Sequence, residues 1–422
     1  MLVLLAVVLG GSALVLGKLS SGASIDLSKL KMNVLDIQNE NRTASNDTED
    51  ITQSAGQIPV IRTASAPSVI AETPAPLQEG EGFTLTIGGS ISLSGEVRKN
   101  SRSTDAKVAD YADVMMLLAP AVNSDINGVF LENILSDRHK TSDIVAPGAA
   151  TVLLTDAGFN MAACGFSQVY SSGKDGIEAT LETLGSQGIR AVGIHSEEDS
   201  GNTEIRNVNG IRTAFLQYTD TLPDKSRKSM QKDGTSKMAP AADISLISEE
   251  IASVRKQGAE AVIVMINWGK AGKEPDKNHR ALAQEIARAG ADLIVGNGSH
   301  VPQTAEYCPG ENGKDVLCIW SLGTLLSGDR SNIRRMCGYL LHLTVRTDGT
   351  GGVTIENPEY TPVYTWKYKQ DGRFYYRCIA CGGEAPDGMD NDQRKSMAKA
   401  AETVRSVLQN SPLTERGRTD AD

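Results

Sequence analysis

Three polar residues in the middle of this chain have the chemistry of a reactive site, namely Glu132, Asn267 and His300. A carboxylate or an imidazole can transfer a proton or bind a divalent cation, and an amide can offer a carbonyl oxygen. Each of the three follows an apolar run that is typical of a buried strand. A histidine in a loop is also often just a hydrogen-bonded structural residue, and a carboxylate at a strand end is often solvated. The elements that position these residues therefore decide how they are interpreted.

The clearest pattern of elements is a βαβ unit. Two apolar runs, residues 261–266 and 291–295, flank a segment from about 279 to 289 whose apolar residues recur at helical spacing, and Gly290 is placed to end that helix. Such helices cover a parallel sheet. Each run leads into a Gly- and Asn-rich loop, and open α/β sheets usually bind ligands at the C-terminal ends of their strands. The residues expected there are Asn267, Asn297 and His300.

Six short segments occur in an order and at a spacing that chance does not explain. They are residues 86–89 (Thr-Ile-Gly-Gly), 130–132 (Phe-Leu-Glu), 166–168 (Phe-Ser-Gln), 267–269 (Asn-Trp-Gly), 296–301 (Gly-Asn-Gly-Ser-His-Val) and 321–324 (Ser-Leu-Gly-Thr). In these segments the chain resembles the CapA family of capsule-synthesis proteins, which includes the membrane-anchored subunit of poly-γ-glutamate synthesis. The resemblance covers roughly residues 83–328. It implies an α/β fold of the calcineurin-like metallophosphatase type, a four-layer α/β/β/α sandwich.

The chain departs from the family at most of the polar positions. The substitutions are Gly89 for Asp, Gln168 and Asn267 for His, and Asn297 with Gly298 for a His-His pair; Glu132 and His300 keep the family residue. A two-metal hydrolytic centre needs several anionic or imidazole ligands to hold ions about 3.5–4 Å apart and to activate a bound water. We therefore expect no catalytic metal. The alternative is weak binding of a divalent cation, Mn²⁺ or Zn²⁺.

The resemblance still implies a cleft, because the glycines and the Ser-Leu-Gly segment that shape it are retained. Its expected lining is Gly89, Gln168, Trp268, Asn297 and Ser321. Any residual catalytic centre would use Glu132, Asn267 and His300, together with Asn297. Trp268 is expected to be a wall of the cleft, with stacking on a sugar or a peptide as the alternative.

The N-terminal region predicts a membrane or export signal followed by a linker. Residues 1–17 carry no charge, which is typical of a signal-peptide core or a slightly short membrane anchor. Residues 20–82 are rich in Ser, Thr, Asn, Ala, Pro and acidic residues and predict a disordered stalk. We expect an uncleaved anchor in the cell membrane with the rest of the chain outside; secretion after cleavage is the alternative.

The C-terminal region predicts a hairpin and a helix. Asp371 and Gly372 form a strong turn signal between two strand-like runs. Residues 390–408 have apolar side chains on one helical face, and the chain from Asn410 onward is predicted to be disordered. The complete predicted order is an anchor or signal peptide at 1–19, a stalk at 20–82, a CapA-like domain at 83–345, the hairpin and helix at 346–409 and a disordered tail at 410–422.

The net charge limits which classes of molecule the protein is expected to bind. The formal net charge of −10 argues against nucleic acid and against broad attraction to an acidic polymer. Basic clusters at residues 98–102 and 330–335 could still guide a polyanion, although such clusters are usually solvated surface.

Among six cysteines, Cys308 and Cys318 are the best candidates for a disulfide outside the membrane, and a local disulfide or two free thiols is expected at Cys378-Ile-Ala-Cys381.

Three functions agree with these patterns. The first is a membrane-anchored, extracytoplasmic CapA-like protein that binds or scaffolds a surface polymer, an anionic polymer or a cell-wall glycan or peptide, beside the membrane subunits that synthesise it. The second is a metal-assisted hydrolase or amide-bond enzyme acting on such a polymer. The third is a sensor or docking module for peptidoglycan fragments.

Overall fold

The computed structural model of this protein describes residues 5–9, 12–16, 82–100, 111, 113–198 and 205–418. The chain divides into two compact units, Met1–Thr63 and Ala64–Asp422. In the first unit two short strands, β1 (Leu5–Leu9) and β2 (Ser12–Leu16), pair antiparallel. Within the described ranges, no helix is long and apolar enough to cross a membrane. The anchor therefore stays a prediction, and the predicted stalk lies almost entirely outside the described residues.

The second unit contains the remaining strands and all the described helices. Its strands are β3 (Gly82–Ile91), β4 (Ile126–Leu131), β5 (Ile134–Leu135), β6 (Val145–Ala146), β7 (Met161–Ala163), β8 (Arg190–Val192), β9 (Ile205–Val208), β10 (Ile211–Thr219), β11 (Ala261–Asn267), β12 (Leu293–Asn297), β13 (Ala305–Pro309), β14 (Asp315–Ile319), β15 (Thr324–Leu326), β16 (Cys337–Thr347), β17 (Val353–Gln370), β18 (Arg373–Ala380) and β19 (Thr414–Glu415). Its helices are α1 (Gly95–Asn100), α2 (Val152–Ala157), α3 (Gly173–Ser186), α4 (Asp224–Lys232), α5 (Ile244–Lys256), α6 (Lys277–Arg288) and α7 (Asn391–Leu408).

Two mixed sheets organise this unit. The large sheet runs β18-β17-β16-β3-β4-β7-β8, with β15 added beside β3 and β19 beside β17. The small sheet runs β13-β14-β12-β11-β10-β9. The pairs β3–β4 and β11–β12 are parallel, so their C-terminal ends point to the same edge of each sheet.

Side chains that point alternately to the two faces of each strand show the order of the layers. On β11, Ile263 and Met265 face the core between the two sheets, together with Leu85 and Ile87 of β3. The intervening β11 residues pack with α5 and α6 on the outer face of the small sheet. The helices α2 and α3 pack in the core on the outer face of the large sheet. The order is therefore helix, sheet, sheet, helix, because side chains of one strand alternate between two buried faces.

The predicted βαβ unit is present as β11, α6 and β12. Helix α6 begins two residues earlier than the pattern indicates, because the side chain of Asp276 accepts hydrogen bonds from the backbone N–H groups of Asn278 and His279 and the His279 ring reaches back to the N–H of Asp276. This reciprocal arrangement is a capping box. Histidine is an unusual partner in it, which is why the sequence pattern alone places the start too late.

The C-terminal hairpin and helix are also present. Asp371 and Gly372 both have positive φ, 49° and 79°, as a two-residue hairpin turn between β17 and β18 requires. Helix α7 buries the predicted stripe of apolar residues, Met397, Ala401, Val404 and Leu408.

The prediction that the chain is disordered from Asn410 is wrong for residues 410–418. Strand β19 pairs in parallel with β17, Leu413 is buried, and Glu415 forms a bidentate ion pair with Arg405 of α7. These contacts are tertiary, so a local pattern of polar residues does not reveal them. Residues 419–422 lie outside the described part of the chain.

The six cysteines are all buried free thiols. Cys308 and Cys318, the predicted pair, lie on the adjacent strands β13 and β14, and their side chains are within hydrogen-bonding distance of each other. Burial raises the pKa of the Cys378 thiol above its usual value and that of Cys337 to about 12. These thiols are therefore protonated and unreactive near neutral pH.

Candidate functional site

The C-terminal ends of strands from both sheets meet at one place. Ser90 and Glu132 come from the ends of β3 and β4 in the large sheet, and Asn267 and Asn297 are the last residues of β11 and β12 in the small sheet. His300 and Ser321 lie in the loops after β12 and β14. We call these six residues the junction site. The structure thus brings together five residues that the sequence singled out, Glu132, Asn267, Asn297, His300 and Ser321, and adds Ser90.

A chain of hydrogen bonds runs across the two sheets. The Ser321 hydroxyl donates to Oδ1 of Asn297 (3.2 Å), Nδ2 of Asn297 donates to the hydroxyl of Ser90 (2.8 Å), and that hydroxyl donates to Oε1 of Glu132 (3.1 Å). Ser90, Asn297 and Ser321 are at most 1% exposed. Buried polar groups are costly unless they are paired. These three side chains satisfy one another and join the sheets.

Glu132 is the acceptor on which the contacts converge. Its Oε1 also accepts from Nδ2 of Asn267 (3.3 Å), and its Oε2 lies 3.3 Å from Nδ1 of His300. The amide oxygen of Asn267 accepts in turn from the hydroxyl of Thr221 (3.2 Å). Charge-assisted hydrogen bonds are the stronger ones. Glu132 is thus a carboxylate whose two oxygens are already engaged by neighbouring side chains.

His300 is the part of the junction site that solvent reaches, because its side chain is 34% exposed whereas that of Glu132 is 9% exposed. Its backbone has φ 57°, a left-handed conformation that is uncommon for any residue but glycine. The hydroxyl of Thr324 donates to its carbonyl oxygen (3.1 Å) and so supports this turn. The imidazole therefore closes the outer side of the network.

Asp329 lies on the rim beside His300. Burial by itself would raise the pKa of this carboxyl group, but hydrogen bonds from Ser331 and the charges of Arg335 and His300 outweigh it, so that the pKa is below its usual value. Arg335 forms a 3.7 Å ion pair with Asp329, and Arg334 pairs with Glu274. The basic cluster predicted at residues 330–335 is therefore largely neutralised by acidic partners. In the other predicted cluster, residues 101 and 102 lie outside the described ranges.

The prediction that Gly89 lines the cleft is wrong in its detail. A Cβ atom on Gly89 would lie 2.3 Å from the carbonyl oxygen of Gly323 and 2.8 Å from its carbonyl carbon, so the position faces backbone instead of a cleft. The register between β3 and β4 shifts at Gly88 and Ser90, which turns the Ser90 side chain into the site. A β-bulge of this kind re-aims one side chain and is not visible in sequence.

Gly298 has a related constraint. Its φ is 104°, and a Cβ atom there would lie 2.8 Å from the carbonyl oxygen of Trp268. A histidine, which the resemblance implies at this position, does not fit this backbone. At both glycine positions the neighbouring backbone occupies the space that a metal-binding side chain would need.

One further residue predicted to line the cleft lies elsewhere. Trp268 is 2% exposed, stacks on Trp320 with ring centroids 5.2 Å apart, and donates from Nε1 to the carbonyl oxygen of Trp320 (2.9 Å). It is a core residue and offers no open face for stacking on a sugar. Gln168 lies exposed in the turn after β7, and its place in the cleft stays a prediction. The buried amide near that turn is Gln217, which bonds both backbone groups of Gly165.

A second polar cluster that the sequence did not indicate lies next to Asn267. Nε2 of His279, on α6, lies 2.9 Å from Oδ2 of Asp220, and the Asp276 carboxylate lies 2.8 Å from Nδ1. The hydrogen bond with Asp220 raises the pKa of His279 above its usual value, partly offset by burial. The sequence feature that could have indicated this cluster is His279, a histidine in the first turn of a predicted helix.

The junction site does not fit a two-metal centre. Of its six side chains, one is anionic and one is an imidazole; the other four are neutral amides and hydroxyls. Among the residues that the structure describes, no group of three or more His, Cys, Asp or Glu side chains is placed to hold a metal ion. A two-metal centre needs several carboxylate or imidazole ligands, and this site offers one of each.

Comparison with known proteins places these observations in a family. Residues 84–329 match the family described as "Bacterial capsule synthesis protein PGA_cap". The chain is 26% identical over 292 residues to the "Capsule biosynthesis protein CapA" of Bacillus anthracis, covering 66% of this chain and 68% of that protein. It is 27% identical over 202 residues to the "PGA biosynthesis protein CapA" of Bacillus subtilis (strain 168), covering 47% of this chain and 50% of that protein.

A solved structure was also matched, the calcineurin-like phosphoesterase YfkN of Bacillus subtilis. The TM-score is 0.37 at 10% identity, with 77% of this chain and 99% of that chain covered. This likeness is too low to carry an argument, whereas the family match spans more than half of the chain and includes every residue of the junction site. The chain therefore belongs to the bacterial capsule synthesis protein family PGA_cap.

Proposed function

We propose that this protein is a membrane-anchored, extracytoplasmic subunit in the synthesis, export or retention of a capsular surface polymer of the poly-γ-glutamate kind, and that it binds or scaffolds without catalysis. Family membership supports the process. The apolar, uncharged residues 1–17 support the anchor and hence the location. The partners proposed with it are the polymer and the membrane subunits that synthesise it.

One observation carries the non-catalytic role. The only carboxylate of the junction site, Glu132, accepts from Ser90 and Asn267 and contacts His300, while Asn297 and Ser321 bond to each other. A general base must be free to reach the proton that it removes, and a metal ligand must offer a free lone pair. In this network the same groups hold the two sheets together. Rigid support of the surrounding loops is the role that such bonds favour.

The test is complementation of a strain that lacks the gene. We expect the wild-type chain, Glu132→Gln and His300→Ala to restore the same amount of surface polymer, because the glutamine oxygen still accepts from Ser90 and Asn267. Asp315→Asn, at an exposed position at the start of β14, is the control for a change of one charge. If the deletion leaves the polymer unchanged, the proposed process is wrong; if the deletion matters and His300→Ala fails to complement while still folded, the non-catalytic role is wrong.

A second candidate is a hydrolase or amide-bond enzyme that acts on the polymer with Glu132 and His300. The observation that favours it is the 3.3 Å contact between these residues, with the imidazole 34% exposed. An imidazole beside a carboxylate can act as a general base. Under this candidate His300→Ala abolishes turnover, so the complementation above separates the two functions. The third candidate, a sensor that stacks a peptidoglycan fragment on Trp268, has no open aromatic face to use.

A further inference from the structure

A cavity of about 520 Å³ opens where the edge strands of the two sheets face each other. Strand β8 ends the large sheet and β9 ends the small one, and both contribute to the lining. The apolar part of the lining includes Met161, Val192 and Phe215, which also belong to the core between the sheets. No residue of the junction site lines this cavity, so it is a separate candidate for a binding site.

The cavity wall on the β10 side is fixed by hydrogen bonds. The side-chain amide of Gln217 accepts from the backbone N–H of Gly165 (2.8 Å) and donates to its carbonyl oxygen (3.0 Å). Gly193, which has φ 80°, lies so close that a Cβ atom would be 2.1 Å from Oε1 of Gln217. A preformed wall lowers the entropic cost of binding a ligand.

Two arginines line this cavity. Nη1 of Arg206, on β9, is buried and has no hydrogen-bond partner among the residues that the structure describes. Arg190, on β8, is near enough that the charge of Arg206 adds to the effect of burial in lowering its pKa. A buried donor without an acceptor destabilises the fold, and more so when the donor is charged. A ligand that supplies the acceptor would recover that free energy.

The acidic residue in the lining does not supply the acceptor. Glu250 accepts from the hydroxyl of Tyr218, and burial raises the pKa of its carboxyl group. The charge that acts on it comes from Lys237. The Glu250 carboxylate therefore interacts with other partners, and Nη1 of Arg206 has no acceptor among the described residues.

We propose that this cavity binds an oxyanion, the carboxylate or phosphate group of a ligand, with Arg206 as the donor. The guanidinium fork matches the geometry of carboxylate and phosphate oxygens. The apolar floor accommodates the carbon chain that carries the group. This site is independent of the proposed function. The amount of surface polymer in the complementation experiment therefore does not test it.

Calorimetric titration of the full chain with inorganic phosphate, and separately with a short glutamate oligomer, tests the proposal. We expect saturable one-site binding of at least one probe, and the probe that binds identifies phosphate or carboxylate as the source. Arg206→Gln should weaken that binding at least about tenfold, the scale of a hydrogen bond to a charged group. Arg288→Gln, an equal charge change at a half-exposed position on α6, should leave it unchanged.

A second pair of variants keeps the test valid if Arg206→Gln fails to fold. Gly185 lies on α3 in the cavity lining, and a Cβ atom there meets nothing within 4 Å. Gly185→Glu should place a competing carboxylate at the cavity and weaken the probe, whereas Gly185→Gln, of the same size, should bind as the wild type does. The proposal is overturned if neither probe binds at millimolar concentration, if folded Arg206→Gln binds like the wild type, or if the two Gly185 variants do not differ.

Discussion

At the scale of single residues, two glycines beside the junction site stand where the resemblance implies metal-binding side chains. Gly89 faces the backbone of Gly323, and Gly298 faces the backbone of Trp268. The departures from the family pattern were visible in the sequence, and so was the loss of ligand groups. The closure of the backbone around the vacated positions was not, because it depends on the distance between segments that are far apart in the chain.

Gly89→Asp should lower the free energy of unfolding by about 3 kcal/mol, because the new Cβ atom meets backbone atoms that cannot turn away. Denaturant unfolding of the full chain measures this. Gly382→Asp is the matched control, since a Cβ atom there has nothing within 4 Å. Equal stability of Gly89→Asp and the wild type would show that the strand has room for the family's carboxylate after all.

Ser90 illustrates what the sequence could not provide at this scale. It follows the Thr-Ile-Gly-Gly segment directly, yet the segment draws attention to Gly89. The register shift between Gly88 and Ser90 decides which of the two neighbours faces the site. A shift of one residue moves a side chain to the other face of a strand, so the error is a geometric consequence of one bulge.

At the scale of elements, the prediction succeeded where the pattern was local and long. The βαβ unit, the hairpin turn and helix α7 are each specified by residues within the element itself, through periodicity, positive-φ turn residues or a capping aspartate. Strand β19 was not predicted, because its two residues pair with β17, which is distant in the chain. Short strands of this kind have no sequence signature of their own.

Leu413→Ala tests the order of that C-terminal segment. Its side chain is buried against the core, so the substitution should lower the free energy of unfolding by about 2–3 kcal/mol. Thr414→Ala, at the exposed neighbouring position, should change it by at most about 0.5 kcal/mol. If the two variants were equally stable, β19 would not contribute to the fold.

Strand pairing between β3 and β16 also buries a histidine whose protonation opposes folding. His342 contacts Thr86, Thr361 and Arg416, and burial together with the charge of Arg416 lowers its pKa from 6.5 to about 3. The unfolded chain therefore binds this proton at higher pH than the folded chain does. Stability is complete above about pH 6.5 and falls as the pH drops toward 3, by up to about 1.4 kcal/mol per unit.

His342→Gln should remove that part of the acid sensitivity, because glutamine still offers hydrogen bonds but takes up no proton. The measurement is denaturant unfolding at pH 7, above the unfolded-state pKa of 6.5, and at pH 4, inside the window between that value and the folded-state pKa of about 3. The variant should show a smaller fall in the free energy of unfolding across this range than the wild type. His139→Gln, which removes a half-buried histidine elsewhere, is the control, and equal slopes for wild type and His342→Gln would contradict the account.

At the scale of the whole molecule, the two sheets stack face to face, and the C-terminal ends of four of their strands converge at the junction site. Here Ser90 and Glu132 of the large sheet bond Asn267 and Asn297 of the small sheet. The sequence indicated which strands lead there and that metal ligands were few. It did not indicate that the remaining side chains would form one connected network, because that requires the relative position of the two sheets.

The most direct test of this account is calorimetric titration of the full chain, stripped with chelator, with Mn²⁺ and then Zn²⁺. The network predicts no tight stoichiometric binding of either ion, and wild type and His300→Ala should give the same titration. Tight binding of one or two equivalents that is lost in both His300→Ala and Glu132→Ala would contradict it, and would make the junction site a metal centre whose substrate should be sought.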